Sequence, residues 1–261
     1  GRLCEAAKAA VDDLAPASLA AGRSEAKRIS FIRRYRMKDG SLRTNPGVNN
    51  PDIDSPVGTP DESVQVLRVR REGKDDIAVI NFATHPDVVG GESVSGDWPS
   101  FTRRIFERAE PGTKCVFFNG AQGDVNHVCT DPGPGEREGL VPDFDDVDRG
   151  YGHAMHMGRA VAAAALSVWG KCAPLPSGKI SFAVKDVIVP SQRPKPEELP
   201  LARRYDALHR EGRDAEIPFT GMALTTVVAK DGVSGERPRR IRDADLCRLH
   251  REVGGVRGSS G

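Results

Sequence analysis

Between Ile77 and Asn126 the chain carries a set of polar residues suited to chemistry: His85, Asp97, Gln122, Asp124 and Asn126. The histidine stands in a strand-to-loop turn, Thr84-His85-Pro86. The neighbouring proline stiffens that turn and directs the ring from the sheet edge, where it can act as a general base or a metal ligand. Carboxylates near an imidazole fix its tautomer and raise its basicity, and Asp97 and Asp124 are the candidates for that work. Asn119-Gly-Ala-Gln-Gly-Asp-Val-Asn126 is an amide-rich turn with two glycines. Backbone N–H groups and side-chain amides in such a turn, including Gln122 and Gly123, could converge on a developing negative charge. A tight turn needing Gly and Asn only for positive φ would have the same composition.

These residues can cooperate only if the elements around them bring them to one mouth. An apolar run, Ile77–Ala83, precedes His85, a helical pattern spans Ser100–Ala109, and a second apolar run, Cys115–Phe118, precedes Asn119. A strand-helix-strand unit of this kind places its strands parallel. Both loops then leave the same edge, and open parallel sheets bind ligands outside the carboxyl ends of their strands. The predicted fold class is α/β, with a mixed, largely parallel sheet, flanking helices and an incomplete single domain.

The rest of the chain is read as scaffold. Cys4, Ala7, Val11 and Leu14 share one helical face before Pro16 stops the pattern. Arg28–Met37 suits a strand, and Lys38-Asp-Gly-Ser41 turns it into a hairpin with Leu42–Thr44. Asn45–Glu62, with its prolines and no periodicity, reads as a long surface loop, and Val64–Arg70 as a strand that turns at Gly73-Lys74. Asp131–Pro142 is too rich in Pro and Gly for regular structure and follows directly on the candidate site, as a substrate-facing lid would. Asp145–Trp169 is the clearest helix, Lys179–Val189 alternates as a half-buried strand, and Leu201–Arg210 is a charged helix. Ala244–Cys247 fits one more short strand, and Gly254–Gly261 reads as a disordered tail. Residues 1–231 are accordingly assigned to the domain and 232–261 to an irregular C-terminal segment.

Composition narrows the partners. In 261 residues, 38 basic side chains nearly cancel 37 acidic ones, which leaves no electrostatic footprint for nucleic acid. No apolar run approaches the roughly 20 residues needed to span a bilayer. The chain opens on Gly1-Arg-Leu3 without a signal-peptide pattern, so any export signal would precede it. The five cysteines form no CxxC pair, which argues against a thiolate zinc cage. Cys115 reads as a strand core residue, and a Cys115–Cys129 bridge would suit a secreted protein. His153 and His156 stand one helical turn apart, a spacing open to a metal, but no carboxylate partner is evident in the sequence and two histidines on one helical face are usually a solvated or interface face. Nothing in the residues sets an oligomeric state.

Three segments resemble the zinc-dependent hydrolase domain of the neutral/alkaline non-lysosomal ceramidase family, nearest to its bacterial members of unassigned substrate. They are Asn81-Phe-Ala-Thr-His85-Pro with Ser95-Gly-Asp97, then Asn119–Asn126, then Ser30–Gly40 with Arg33. In order and spacing the resemblance covers about residues 4–190, and the family's fold is α/β. It implies a catalytic zinc bound by His85, a later ligand echoed by Glu252 in Leu249-His-Arg-Glu-Val253, and a substrate or intermediate held by Arg33. Asn126 stands where the ceramidases carry a catalytic serine, and Ile32 where the family has an asparagine. The family's first zinc motif would lie upstream of Gly1, and its tyrosine ligand has no counterpart before Gly261, so the chain reads as truncated at both ends.

The implied reaction is cleavage of an amide or ester bond in a small-molecule or lipid-like, ceramide-like substrate by metal-activated water. Arg33 and Asn126 would steady the oxyanion, and Asp97 or Asp124 would orient His85 or pass a proton. The resemblance fits a secreted or periplasmic protein of lipid metabolism. Two rivals stand beside it. One is a catalytically inactive ceramidase-like fragment serving as a binding or structural domain. The other is a metal-free hydrolase with His85 as base and Ser93 or Ser95 as nucleophile.

Overall fold

The computed structural model describes residues 1–92, 94–137, 149–176, 182–184 and 199–217. In chain order the first part holds α1 (Arg2–Asp12), β1 (Ala17–Glu25), β2 (Phe31–Ile32), β3 (Arg34–Met37), β4 (Leu42–Thr44) and β5 (Ile53–Pro56). Then follow β6 (Ser63–Arg71), β7 (Asp76–Phe82), α2 (Asp97–Ala109), β8 (Thr113–Asn119), β9 (Val125–Asn126), α3 (Gly150–Trp169) and β10 (Ala173–Pro174). The chain divides into two compact units, Gly1–Ser181 and Phe182–Gly261. In the second unit the described regular elements are α4 (Leu199–Arg210), the charged helix expected there, and a short 3₁₀ turn at Asp214–Glu216.

The main sheet of the first unit runs β10-β1-β6-β7-β8. Alternation decides its inner face: Val64 and Val66 on β6, Ala78, Ile80 and Phe82 on β7, and Cys115 on β8 are all buried. α2 packs against β8, and α3 against β1 and β6, so the two helices cover one face of the sheet. The mixed α/β class agrees with the sequence. Its balance does not: β7–β8 is the one parallel pair among the sheet's described pairings, and β10–β1, β1–β6 and β6–β7 are antiparallel. The turn at Gly73, φ 67°, folds β6 directly back on β7 as a hairpin, and a hairpin excludes parallel pairing.

Other expectations meet tertiary context. β3 and β4 form the anticipated hairpin, with Gly40 at φ 80°. The Arg28–Met37 strand is instead interrupted at Arg33, because β2 pairs with β9 while β3 pairs with β4 and β5. β5 lies inside the stretch read as a loop, on the edge of a small sheet, the position in which a strand tolerates Pro56. β1, whose small residues show no alternation, becomes a strand by pairing along its whole length with β6. α1 forms, but its apolar face is uncovered, with Leu3 88% and Val11 54% exposed. Beyond its end, Asp13 accepts from Arg71 and Lys74 at 2.5 and 2.7 Å, and those contacts hold its carboxyl down to about 2.

Cys115 and Cys129 are both free thiols, so the bridge between them does not form. Burial pushes the Cys115 thiol up to about 12, as befits an inert core residue. Phe182 and Val184 are exposed and outside regular structure, contrary to a half-buried strand at that point. The remainder of that predicted strand, Ser93, Glu252, Ala244–Cys247 and the tail lie outside the described residues. Among the described residues no helix is long and apolar enough to cross a membrane.

The two covering helices meet at Gly158. A Cβ built there would lie 2.5 Å from Phe101 Cβ and 2.9 Å from the Trp98 carbonyl oxygen, neither of which is the end of a flexible chain. Alanine gains up to about 1 kcal/mol of helix propensity over glycine, whereas overpacking against fixed atoms costs about 1–3 kcal/mol. Gly158→Ala should therefore lower the unfolding free energy, read as a lower urea midpoint at unchanged slope.

Candidate functional site

The parallel register of β7 and β8 sets Phe82 opposite Asn119, so the chain leaves both strands side by side. Backbone hydrogen bonds then close the two loops on each other: Gly120 N–H donates to the Phe82 carbonyl at 3.0 Å, and His85 N–H to Val125 at 3.2 Å. Gly120 is required by proximity, since a Cβ there would sit 2.9 Å from Ala83 Cβ and 3.2 Å from its Cα. Ser30 Oγ donates to the Ala83 carbonyl at 2.8 Å and ties in the strand that carries Phe31. The juxtaposition of the His85 turn with Asn119–Asn126 is as the sequence implied.

His85 is half-buried, and its Nδ1 lies 2.7 Å from the Gln122 carbonyl and 3.0 Å from that of Val125. Two carbonyls can only accept, so Nδ1 carries the proton and Nε2 keeps its lone pair. The backbone of the same turn is held by Trp98, whose indole N–H donates to the His85 carbonyl at 3.1 Å. Trp98 is fully buried and meets Phe82 and Phe117 edge-on, with centroids 5.9 and 4.9 Å apart. Core packing therefore fixes where the histidine backbone lies, and the Gln122–Val125 turn fixes its ring.

Asp97 is buried at the start of α2 with φ 48°, and its carboxylate accepts from Val89 N–H at 2.7 Å and Trp98 N–H at 2.6 Å. Its own N–H donates to Ser95 Oγ at 3.1 Å. It thus fixes the loop between β7 and α2, while the ring of His85 is oriented by carbonyls. Asp124 is exposed, and its carbonyl accepts from Arg33 N–H at 2.9 Å. The Arg33 guanidinium donates to the Gly123 carbonyl at 2.7 Å, clamping the turn from outside. Asn126 is buried opposite Phe31; it donates to Asn45 Oδ1 at 3.2 Å and accepts from Val128 N–H at 3.1 Å. Gln122 accepts from the Asn119 side chain through its Oε1. The predicted lid begins as irregular chain through Arg137, where the Arg28 guanidinium holds Glu136 and the Asp131 carbonyl.

The structure adds Asp87 and His127, which the sequence did not single out, and brings them to the His153 and His156 pair that it did. Asp87, two positions after His85, approaches buried His127, with 3.3 Å between Oδ1 and Nδ1. Burial works to raise the Asp87 carboxyl, but the neighbouring His127 and then the Arg149 guanidinium hold it below the usual carboxylate range. His127 lies tilted beside His153, centroids 5.4 Å apart, and His153 beside His156 at 5.9 Å. α3 is brought to them by Gly150 N–H donating to the Val88 carbonyl and Arg149 to that of Asp87, at 2.8 and 3.2 Å. The available signal for His127 was its adjacency to Asn126; the one-turn spacing of His153 and His156 is legible in the sequence. As they stand, no three His, Cys, Asp or Glu side chains among the described residues surround a common point that could hold a metal.

No protein-family model and no curated protein matches the chain. Among solved structures it aligns with neutral ceramidase from Pseudomonas aeruginosa at a TM-score of 0.45 and 19% identity, over 64% of this chain and 25% of that one. A ceramidase complexed with C2 aligns at a TM-score of 0.44 and 18% identity, over 63% and 24%. The chain spans about a quarter of the length of these proteins. Likeness at this level bears on neither reaction nor substrate.

Burial, then the neighbouring His127 and His156, pull the His153 imidazole down to about 3. In the unfolded chain it titrates near the ordinary value of about 6.5, so between these values the unfolded state binds the extra proton. The stability that neutral His153 contributes is complete above about pH 6.5 and is lost as pH falls toward 3. Urea unfolding across that range should show the decline, and His153→Gln should flatten it.

Proposed function

We propose that this chain is part of a ceramidase-like hydrolase that cleaves an amide or ester bond, with His85 as a zinc ligand at the mouth between the β7 and β8 loops. One observation carries the reading: Nδ1 of His85 is committed to backbone carbonyls, so Nε2 is presented with a free lone pair. Metal-binding histidines are commonly held this way, the second ring nitrogen donating to a carbonyl or carboxylate that fixes tautomer and direction. The motif resemblance around His85, Arg33 and Asn126 supports the same assignment.

His85 fits a metal as a single ligand. The described residues supply no complete set around it, and Glu252 lies outside them. When bound, zinc supplies a water of near-neutral pKa and polarises a carbonyl. The chain's own contribution is positional. Trp98 and the Gln122 and Val125 carbonyls hold the His85 backbone and ring, and Arg33 clamps the Gly123 end of the loop while keeping a positive charge beside it. A groove beside β2, adjacent to Asn126, is lined by Phe31, Ile32, Tyr35 and Ile53 on its apolar side and by Asn49, Asp54 and Asp131 on its polar one, and would suit a substrate with both apolar and polar parts.

A second reading, a binding or structural domain without catalysis, is favoured by a different observation. Asn126 hydrogen-bonds to Asn45 and Val128, and Arg33 to Gly123, so both residues expected to meet an oxyanion are engaged within the protein. Elemental analysis and hydrolysis of a short-chain N-acyl sphingosine separate the two. The hydrolase reading expects stoichiometric zinc and turnover, with His85→Ala losing the zinc and at least about 10²-fold in rate. A zinc-free, inactive chain, or activity retained in His85→Ala, decides against it.

A further inference from the structure

We propose that His127, His153 and His156, with Asp87 beside them, form a second site for a divalent transition metal, distinct from the His85 ring. His127 follows β9 directly, and His153 and His156 project from one side of α3 at i and i+3, so the site would join a loop of the candidate mouth to the helix that covers the sheet. Nothing in the hydrolase reading requires it.

The spacing suits shared coordination. Nitrogen ligands sit about 2.0–2.1 Å from zinc, which places the centroids of two imidazoles on one tetrahedral ion roughly 5 Å apart. The observed separations are 5.4 Å for His127 and His153 and 5.9 Å for His153 and His156. The 3.3 Å between His127 Nδ1 and Asp87 Oδ1 likewise matches the edge between two ligands of such an ion, about 3.3 Å for bonds of that length.

Polar satisfaction points the same way. His127 is 3% exposed, yet neither of its ring nitrogens makes a hydrogen bond, and His153 Nδ1 and Asp87 Oδ1 are likewise buried without one. Native interiors seldom leave such donors and acceptors unmet, and several from different elements facing one another need a common partner. A cation is the partner that imidazole nitrogens and a carboxylate oxygen can satisfy together. The donor set, nitrogen-rich with one carboxylate, selects zinc, nickel, cobalt or copper over calcium or magnesium. As they stand the rings form a row and no three of these side chains surround one point, so coordination requires His156, which is exposed on the helix surface, and at least one of its neighbours to turn toward a common ion.

The test is titration of the metal-stripped full chain with Zn²⁺ and, separately, Co²⁺, followed by calorimetry and by the visible absorption of bound cobalt. Wild type, His85→Ala, His153→Gln and His156→Ala are compared, with circular dichroism confirming that each is folded. The proposal expects one site of micromolar or tighter affinity, counted apart from any zinc held by His85, that persists in His85→Ala, is lost in His153→Gln and is weakened at least tenfold in His156→Ala. His156 is exposed, so that variant stays informative even where His153→Gln fails to fold. The proposal is overturned if no ion binds, if His85→Ala alone abolishes all binding, or if His156→Ala binds as tightly as wild type. Zinc lost only with His85 would leave the hydrolase reading standing while ending this one; zinc lost only with His153 and His156 would do the reverse.

Discussion

The structure depends on one pairing, the parallel register of β7 with β8 that sets Phe82 opposite Asn119. Because both strands end at the same level, the turns that follow them leave on the same side and meet at once. The Gly120 and His85 N–H groups then hydrogen-bond to the opposite strand or turn, and the absence of a side chain at Gly120 lets Ala83 come close enough for this. An antiparallel neighbour at this edge would have carried the second turn to the far end of the sheet. The strand-helix-strand connection through α2 enforces the parallel pairing, and Trp98 at the start of that helix joins the core to the backbone of His85.

Around this frame the polar residues fall into two kinds. Asp97, Asn126 and Arg33 make hydrogen bonds inside the protein and hold loops in place. His85 is held at one nitrogen and open at the other, and the row of His127, His153 and His156 has buried nitrogens that nothing satisfies. An enzyme built on this frame would place its chemistry at the second kind and its precision in the first. The same division explains how residues that look catalytic by type can act structurally: a buried carboxylate beside free N–H groups at a helix start satisfies them before it can serve a neighbouring imidazole.

Much of the organisation was legible along the chain. Alternation in Val64–Arg70, the apolar run Ile77–Ala83, the periodic stretches that became α2 and α3, and the Asp39-Gly40 turn all follow from local geometry, and each formed near its predicted bounds. Less legible were elements that exist through their partners. β1 lacks a pattern and is made by β6; β2 and β9 are two residues each and are made by one another; β5 hides in a proline-rich stretch because it sits on an edge. The prevailing antiparallel order of the sheet also escaped, since which strands neighbour one another is set by packing and not by the residues between them.

By itself the sequence determined the strand-helix-strand core, the glycine and proline turns that end its strands, and the placing of His85, Gln122 and Asn126 in the two loops at one edge. Periodicity and turn chemistry act over a few residues, and those distances are readable in one dimension. Tertiary structure alone decided which nitrogen of His85 is free, that Asp97 serves backbone N–H groups, and that His127 from one loop stands beside two histidines of α3. Hydrogen-bond acceptors and ring neighbours come from segments far apart in the chain, so the role of an imidazole or a carboxylate is settled only when the packed core has chosen what lies next to it.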